Sequence, residues 1–446
     1  QEIARDLSNE VLIGALKAFA EQMVRVRRYL ALSAKLDHHY HKAGWFLEAA
    51  LVYGKALVDL GEGISAISLS SRGLIAFREF LQRYLHSQAF ETFFAEAKKV
   101  KEALQRVRYC IILQNGTVRV RRYEGEIDYS VEVEKTFAKF KQGAVKDYHS
   151  DLSRRSGMNH VEAQILDFVA RLYPEEFAAL DRFYRRQQNF VDETIARFDR
   201  EIQFYLAYLD FVAEIQRKGL SFCVPEVVDD KNISACQTFD LALAHTLRFE
   251  KQEIVPNDFY LRDSERVIII TGPNQGGKTT FARMFGQLHY LAKLGLPVPG
   301  REARLFLCDQ IFTHFERQED LRNLSGKLQD DLERIRHILD HATSNSILIL
   351  NEVFSSTTFE DAVFLSKEIL RKISHLDACC VWVTFLDELS TFNEKTVSMV
   401  STVKPDNAVE RTYKIIRQPA DGLAYAFSLA EKHRLTYRQI VERIQS

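Results

Sequence analysis

At 446 residues the chain is too long for one ordinary core, so two or three domains are expected. Apolar residues make up 46%, charged residues 27% and aromatic residues 11%, the balance of a soluble globular protein. No apolar run approaches the ~20 residues that cross a bilayer, and no charged-then-apolar signal segment opens the chain, so neither a membrane span nor a secretory leader is read here. A net charge of −1 leaves nucleic acid open as a partner, because charge can be segregated within a chain. The chain opens at Gln1 without a methionine, which reads as a fragment or a processed product.

Residues 1–108 read as helices. Leu12, Leu16, Phe19, Met23, Val26 and Leu30 recur at three- and four-residue intervals, as an amphipathic helix requires. His38, His39 and His41 cluster beside Asp37, a surface group rather than a metal site on this spacing. Residues 109–123 change character: YCIIL, then Gln114-Asn115-Gly116, then TVRVRRY, an Asn-Gly hairpin signal. The hexapeptide VRVRRY occurs at Val24–Tyr29 in a helix pattern and at Val118–Tyr123 in a strand pattern. Residues 98–125 hold eight basic side chains, including Arg119, Arg121 and Arg122, against Glu102 and Glu124. Such a patch could neutralise nucleic-acid phosphates; a solvated helix face and hairpin edge is the alternative.

From Val161 to Lys218 helical periodicity returns, interrupted near its start by Pro174, and suggests a lever-like bundle. Gly219 ends it. Short apolar runs then alternate with helix patterns, which predicts a parallel α/β sheet with strands at Val267–Thr271, Ser346–Asn351 and Cys380–Phe385. The expected organisation is a mainly α-helical core and lever region over 1–219, followed by an α/β P-loop NTPase domain over 220–446. Six cysteines, at 110, 223, 236, 308, 379 and 380, form no metal-ligand spacing, which fits a reducing cytoplasm.

The stretch Thr271–Thr280, TGPNQGGKTT, contains G-x-x-x-x-G-K-[ST] between an apolar strand and a helix pattern. Its residues Gly272, Pro273, Asn274, Gln275, Gly276 and Gly277 would close backbone N–H groups around phosphates, with Lys278 at the β/γ positions. Thr279 would ligate Mg²⁺, and Thr280 follows in the first helical turn. SILILNEVF delivers Asn351 and Glu352 to a strand's carboxyl end, where Glu352 is expected to orient or deprotonate the attacking water. Asn351 gives a metal one neutral oxygen, so hydrolysis is expected to be slow.

TGPNQGGKTT resembles the TGPNMGGKST loop of the MutS family of DNA mismatch-repair ATPases. LGLPVPG, CDQIFTHF, LSGKLQDDLERIRHILDHAT and NEVFSSTT are similar to further segments of that family, over about residues 236–446. The resemblance implies a homodimer of ABC-like ATPase heads using ATP and Mg²⁺. Ser325 and Gly326 would reach the γ-phosphate held by the partner, Gln310 would sit near the metal or water, and Ile254 and Val255 would lie on the adenine side. Levers would then gate a clamp on duplex or branched DNA in mismatch repair or recombination. Three departures are visible: Phe385 stands where the family has a switch histidine, Phe354 and Ser356 replace glycines, and Ile254 replaces an aromatic. No mismatch-reading domain or Phe-x-Glu wedge is recognisable ahead of the helices. The alternatives are a nucleotide-held clamp with little hydrolysis, or a factor acting on RNA or ribosome structure.

Overall fold

The computed structural model describes residues 1–114, 116–126, 158–315, 326–404, 407–420 and 435–445. The chain divides into two compact units, Asp6–Leu206 and Gln1–Arg5 with Ala207–Ser446.

The first unit is built on long amphipathic helices. Asn9 starts the helix Glu10–Lys35 by accepting the Val11 and Leu12 N–H groups, and Leu12, Leu16, Phe19, Met23 and Val26 form its buried stripe. Its main packing partner is the helix His39–Ser65. Helices Arg72–Leu85 and Gln88–Gln105 each start at a serine cap, Ser71 and Ser87. Where one long periodic run was expected after Val161, three helices form: His160–Leu172, Pro174–Arg186 and Glu193–Gln216. Pro174 opens the second of these at its first turn, where a missing N–H costs nothing. The unit's core is aromatic, with Phe93 stacked on Phe183 and Phe190 and with Tyr53 edge-on to both Phe93 and Phe190. The expected hairpin is present as β1 (Tyr109–Gln114) and β2 (Thr117–Arg122), antiparallel, with Val120 packed towards Val169 and Phe177; Asn115 lies outside the described residues.

The second unit is α/β. In chain order its strands are β3 (Phe222–Cys223), β4 (Glu226–Val228), β5 (Ile233–Thr238), β6 (Asn257–Leu261), β7 (Val267–Thr271), β8 (Val298–Pro299), β9 (Glu302–Phe306), β10 (Ile311–His314), β11 (Ile347–Asn351), β12 (Cys379–Val383), β13 (Thr396–Lys404) and β14 (Asn407–Arg417). A six-stranded sheet runs β10-β11-β12-β7-β13-β14, parallel except for β14. Its central strands are continuous apolar runs because both faces are covered. Val267, Ile269, Leu348, Leu350 and Trp382 face a core shared with Ile335 of the helix Lys327–His341 and Leu370 of Phe359–Leu376. The helix Lys278–Lys293 covers the opposite face, so closely that a Cβ on Gly286 would meet Ile349 Cδ1 at 2.4 Å. Strand β12 returns between β7 and β11, and β13 lies on the other side of β7. The strand order therefore reverses beside β7, and a crevice opens at the carboxyl ends there.

Candidate nucleotide site

The crevice is a cleft of about 300 Å³ whose lining includes Ile254, Val255, Gln275, Gly277, Lys278, Thr279, Thr280, Glu352 and Tyr413. Two loop glycines are demanded by a neighbouring strand. Gly272 has φ +108°, and a Cβ there would lie 2.7 Å from the Ser401 carbonyl oxygen; a Cβ on Gly276 would lie 2.1 Å from Ser401 Oγ. Ser401 fastens the loop to β13 by donating from its hydroxyl to the Gly276 carbonyl at 2.7 Å.

Lys278 opens the covering helix behind Gly277, which provides no side-chain cap for the first-turn N–H groups. Its ammonium is folded onto its own loop, donating to Gly272 O at 2.9 Å, Pro273 O at 3.1 Å and Asn274 Oδ1 at 3.3 Å. Burial lowers the Lys278 pKa; the Glu352 carboxylate opposes that shift and the charge of Arg411 adds to it. Thr279 Oγ1 donates to Asn351 Oδ1 at 2.9 Å, spanning the width of β12. Two neutral oxygens thus converge beside the loop, a donor pair suited to a hard cation completed by phosphate oxygens. Among the described residues no cluster of three His, Cys, Asp or Glu side chains forms a self-contained metal site.

Glu352 follows Asn351 with φ +52°, and its N–H donates to Val383 O at 2.9 Å. Phe354, where glycine was expected by resemblance, also has positive φ, +62°. Its ring is fully buried, and its N–H donates to Asp331 Oδ2 at 3.3 Å. The other oxygen of Asp331 lies 3.0 Å from His314 Nε2.

The loop, Asn351, Glu352, Ile254 and Val255 are therefore brought together, whereas other expected residues are not. Gln310 is a correction: its carbonyl accepts the Ile347 N–H at the amino ends of β10 and β11, the sheet edge opposite Asn351. Strand β10 also lies three positions across the sheet from β7, which leads into the loop. Gly326 caps the helix Lys327–His341, and Ser325 lies outside the described residues. Phe385 is 49% exposed just beyond β12. In the first unit Arg119 is exposed, Arg121 pairs with Glu126 at 2.6 Å, and Arg122 donates to Leu172 O while its guanidinium stacks over Tyr173. His38 and His39 lie at 3.1 and 2.7 Å from Asp167 and Asp181.

Tyr413 was not legible from sequence. A bulge in β14 gives it φ +57° and sets its ring 3.9 Å from where a Gly277 Cβ would be, and it lines the same cleft as Ile254. Within YKIIR it looks like an ordinary strand aromatic.

Residues 268–445 match the family model described as MutS domain V. That part of the chain is similar to MutS-family proteins. It is similar to the DNA mismatch repair protein MutS of Geobacillus kaustophilus, 32% identical over 186 residues, which is 40% of this chain and 20% of that protein. The DNA mismatch repair protein MSH3 of Eremothecium gossypii is 25% identical over 293 residues, 65% of this chain and 27% of its own length. The MSH3 of Kluyveromyces lactis is 34% identical over 137 residues, 30% of this chain and 13% of the relative. The chain thus spans well under a third of these MutS relatives. The domain V match begins in β7 and takes in Lys278, Thr279, Glu352 and Tyr413 of the cleft lining, while Ile254 and Val255 precede it.

Proposed function

We propose that the chain is an ATP-dependent DNA-binding protein of MutS type, with the cleft beside β7 as its ATPase site. The observation that carries this reading is one arrangement: a phosphate loop whose Lys278 points along the loop, with Thr279 bonded to Asn351 and Glu352 lining the same cleft. Ile254, Val255 and Tyr413 accommodate the base, and Lys278 meets the β/γ-phosphates. Thr279 and Asn351 would hold Mg²⁺, which supplies charge neutralisation across the phosphates. Glu352 orients or deprotonates a water whose oxygen attacks the γ-phosphorus; the bond to the β–γ bridging oxygen breaks, giving ADP and phosphate.

Residues 220–446 act as the ATPase head and the helices of 1–219 as core and lever. Two heads pair, and Ser325 and Gly326 of each cap the nucleotide of the other, so that ATP binding and hydrolysis gate a clamp on duplex or branched DNA in the cytoplasm. No described helix is long and apolar enough to cross a membrane. The neutral Asn351 and the phenyl ring at Phe385 favour a second reading, a nucleotide-held clamp with little hydrolysis.

Steady-state ATP turnover with and without duplex, mismatched and four-way-junction DNA tests both readings. Lys278→Ala should abolish nucleotide binding. Glu352→Gln should stop turnover and trap an ATP-bound dimer; turnover left intact in that variant would remove Glu352 from the chemistry. Wild-type turnover no higher than Glu352→Gln, with ATP bound, would favour the clamp.

A further inference from the structure

The cleft is short of positive charge for a triphosphate. Of its lining side chains, Lys278 is the cation, while Asp240, Glu253 and Glu352 are acids. Asp240 is engaged by Arg283 at 2.8 Å, and Lys278 is the one basic side chain among the described residues of the cleft lining.

Strand β14 brings a second cation to the loop. Arg411 Nε donates to the carbonyl of Asn274 at 3.1 Å. Asn274 is also the residue whose side chain accepts from Lys278 Nζ at 3.3 Å, so the guanidinium and the ammonium hold the same loop residue from two sides. A phosphate-loop lysine reaches the β/γ-phosphates, and Asn274 therefore stands beside the terminal phosphate position. Arg411 is near enough to Lys278 for its charge to act on the lysine.

This placement depends on an irregular strand. Ser401 pairs with Ile415 but Val403 pairs with Arg411, so β14 spends extra residues, among them Tyr413 at φ +57°. Such bulges re-aim side chains next to functional sites. Asn257, almost fully buried, holds this one from both sides: its Nδ2 donates to Tyr413 O at 3.1 Å and its Oδ1 accepts the Ile415 N–H at 2.8 Å. Thr402 and Thr412 hydroxyls meet across it at 2.5 Å.

We propose that Arg411 is a second phosphate-binding cation, contacting the terminal phosphate and distinguishing a nucleoside triphosphate from a diphosphate in the same subunit. The guanidinium has five donors in a planar fork, suited to a phosphate beside the carbonyl it already holds. It supplies from β14 the polar contact that the phenyl ring of Phe385 cannot make. The inference rests on the nucleotide-binding reading above.

The test uses the full chain and titrates a non-hydrolysable ATP analogue and ADP, each with Mg²⁺, against wild type, Arg411→Ala, Arg411→Lys and Lys278→Ala. Arg411→Ala is expected to weaken the ATP analogue by about tenfold or more and ADP by less than about twofold, with Arg411→Lys in between. Equal losses for both nucleotides would mean that Arg411 only props the loop through Asn274 and would overturn the proposal, as would no loss at all. If the alanine variant does not fold, as judged by its thermal transition, the lysine variant decides: unchanged ATP-to-ADP preference overturns the proposal. Wild type that binds neither nucleotide, or Lys278→Ala that binds both normally, would instead overturn the nucleotide site itself.

Discussion

Thr279 Oγ1 and Asn351 Oδ1 lie 2.9 Å apart although strand β12 separates the strands from which they come. The contact joins the helix that follows the phosphate loop to the strand end that precedes Glu352, and both atoms are uncharged. Asn351→Asp would place a carboxylate at a site only 6% exposed. Without metal that charge is buried beside one hydroxyl, so the free protein should lose about 1–3 kcal/mol of stability. With Mg²⁺ and ATP the added charge strengthens cation binding and the loss should be recovered. Thermal melts across a Mg²⁺ titration, with and without ATP, check both halves; a variant indifferent to Mg²⁺ would place the metal elsewhere.

Phe354 offers a contest between strain and burial. A non-glycine residue at φ +62° costs about 1–3 kcal/mol, whereas truncating a buried phenylalanine costs about 3–5 kcal/mol. Burial wins, so Phe354→Gly should destabilise by about 2 kcal/mol net rather than stabilise, despite matching the family's glycine. Denaturant unfolding measures the sign. A gain in stability would show that strain is the larger effect.

Asp377 closes the helix Phe359–Leu376 in the left-handed region, φ +61°, and is bonded to Lys395, Lys231 and Arg266. Partial burial alone would raise its pKa, but these three cations hold it well below the usual carboxylate range. Because the folded value is depressed, the stabilisation is present above the unfolded pKa of about 4 and is lost as pH falls through the folded value. Asp377→Asn, which tolerates the same backbone, should cost about 1–2 kcal/mol at pH 7, discounted for the solvent that reaches the cluster. The gap to wild type should narrow below about pH 4, as urea titrations at several pH values would reveal. A gap independent of pH would remove the charge cluster as its cause.

The three hairpin arginines should not behave alike on DNA. Arg121 is committed to Glu126 and Arg122 to Leu172 and Tyr173, while Arg119 is exposed. Arg119→Ala should weaken binding across sequences and lower the salt-dependence slope by about 1, leaving the thermal transition unchanged. Arg122→Ala should lower hairpin stability first. If the salt slope is unmoved by Arg119→Ala, the hairpin does not touch phosphate.

The twin hexapeptides VRVRRY show where local sequence stops deciding structure. At Val24–Tyr29 the segment lies inside the helix Glu10–Lys35, because Phe19, Met23 and Val26 continue a stripe that buries against neighbouring helices. At Val118–Tyr123 it contributes β2, because a turn pairs it with YCIILQ and Val120 alone points to a core. Periodicity over the flanking residues separated the two, since the apolar spacing and the Asn-Gly turn are written in sequence.

The phosphate loop, the apolar strands β7, β11 and β12, and the pairing of Asn351 with Glu352 were all readable from residue order, since loop chemistry and buried parallel strands impose local patterns. The sheet order was not. Resemblance put Gln310 near the metal or water, yet parallel register places it at the amino ends of β10 and β11, opposite the end that carries Asn351. Tyr413 and Arg411 appeared remote and strand-like, yet a bulge pinned by Asn257 turns them towards the loop. Sequence alone marked the glycine loop and the Asn351–Glu352 strand end as candidates; strand order, register and one irregular edge strand decided what meets them, because those depend on contacts between segments far apart in the chain.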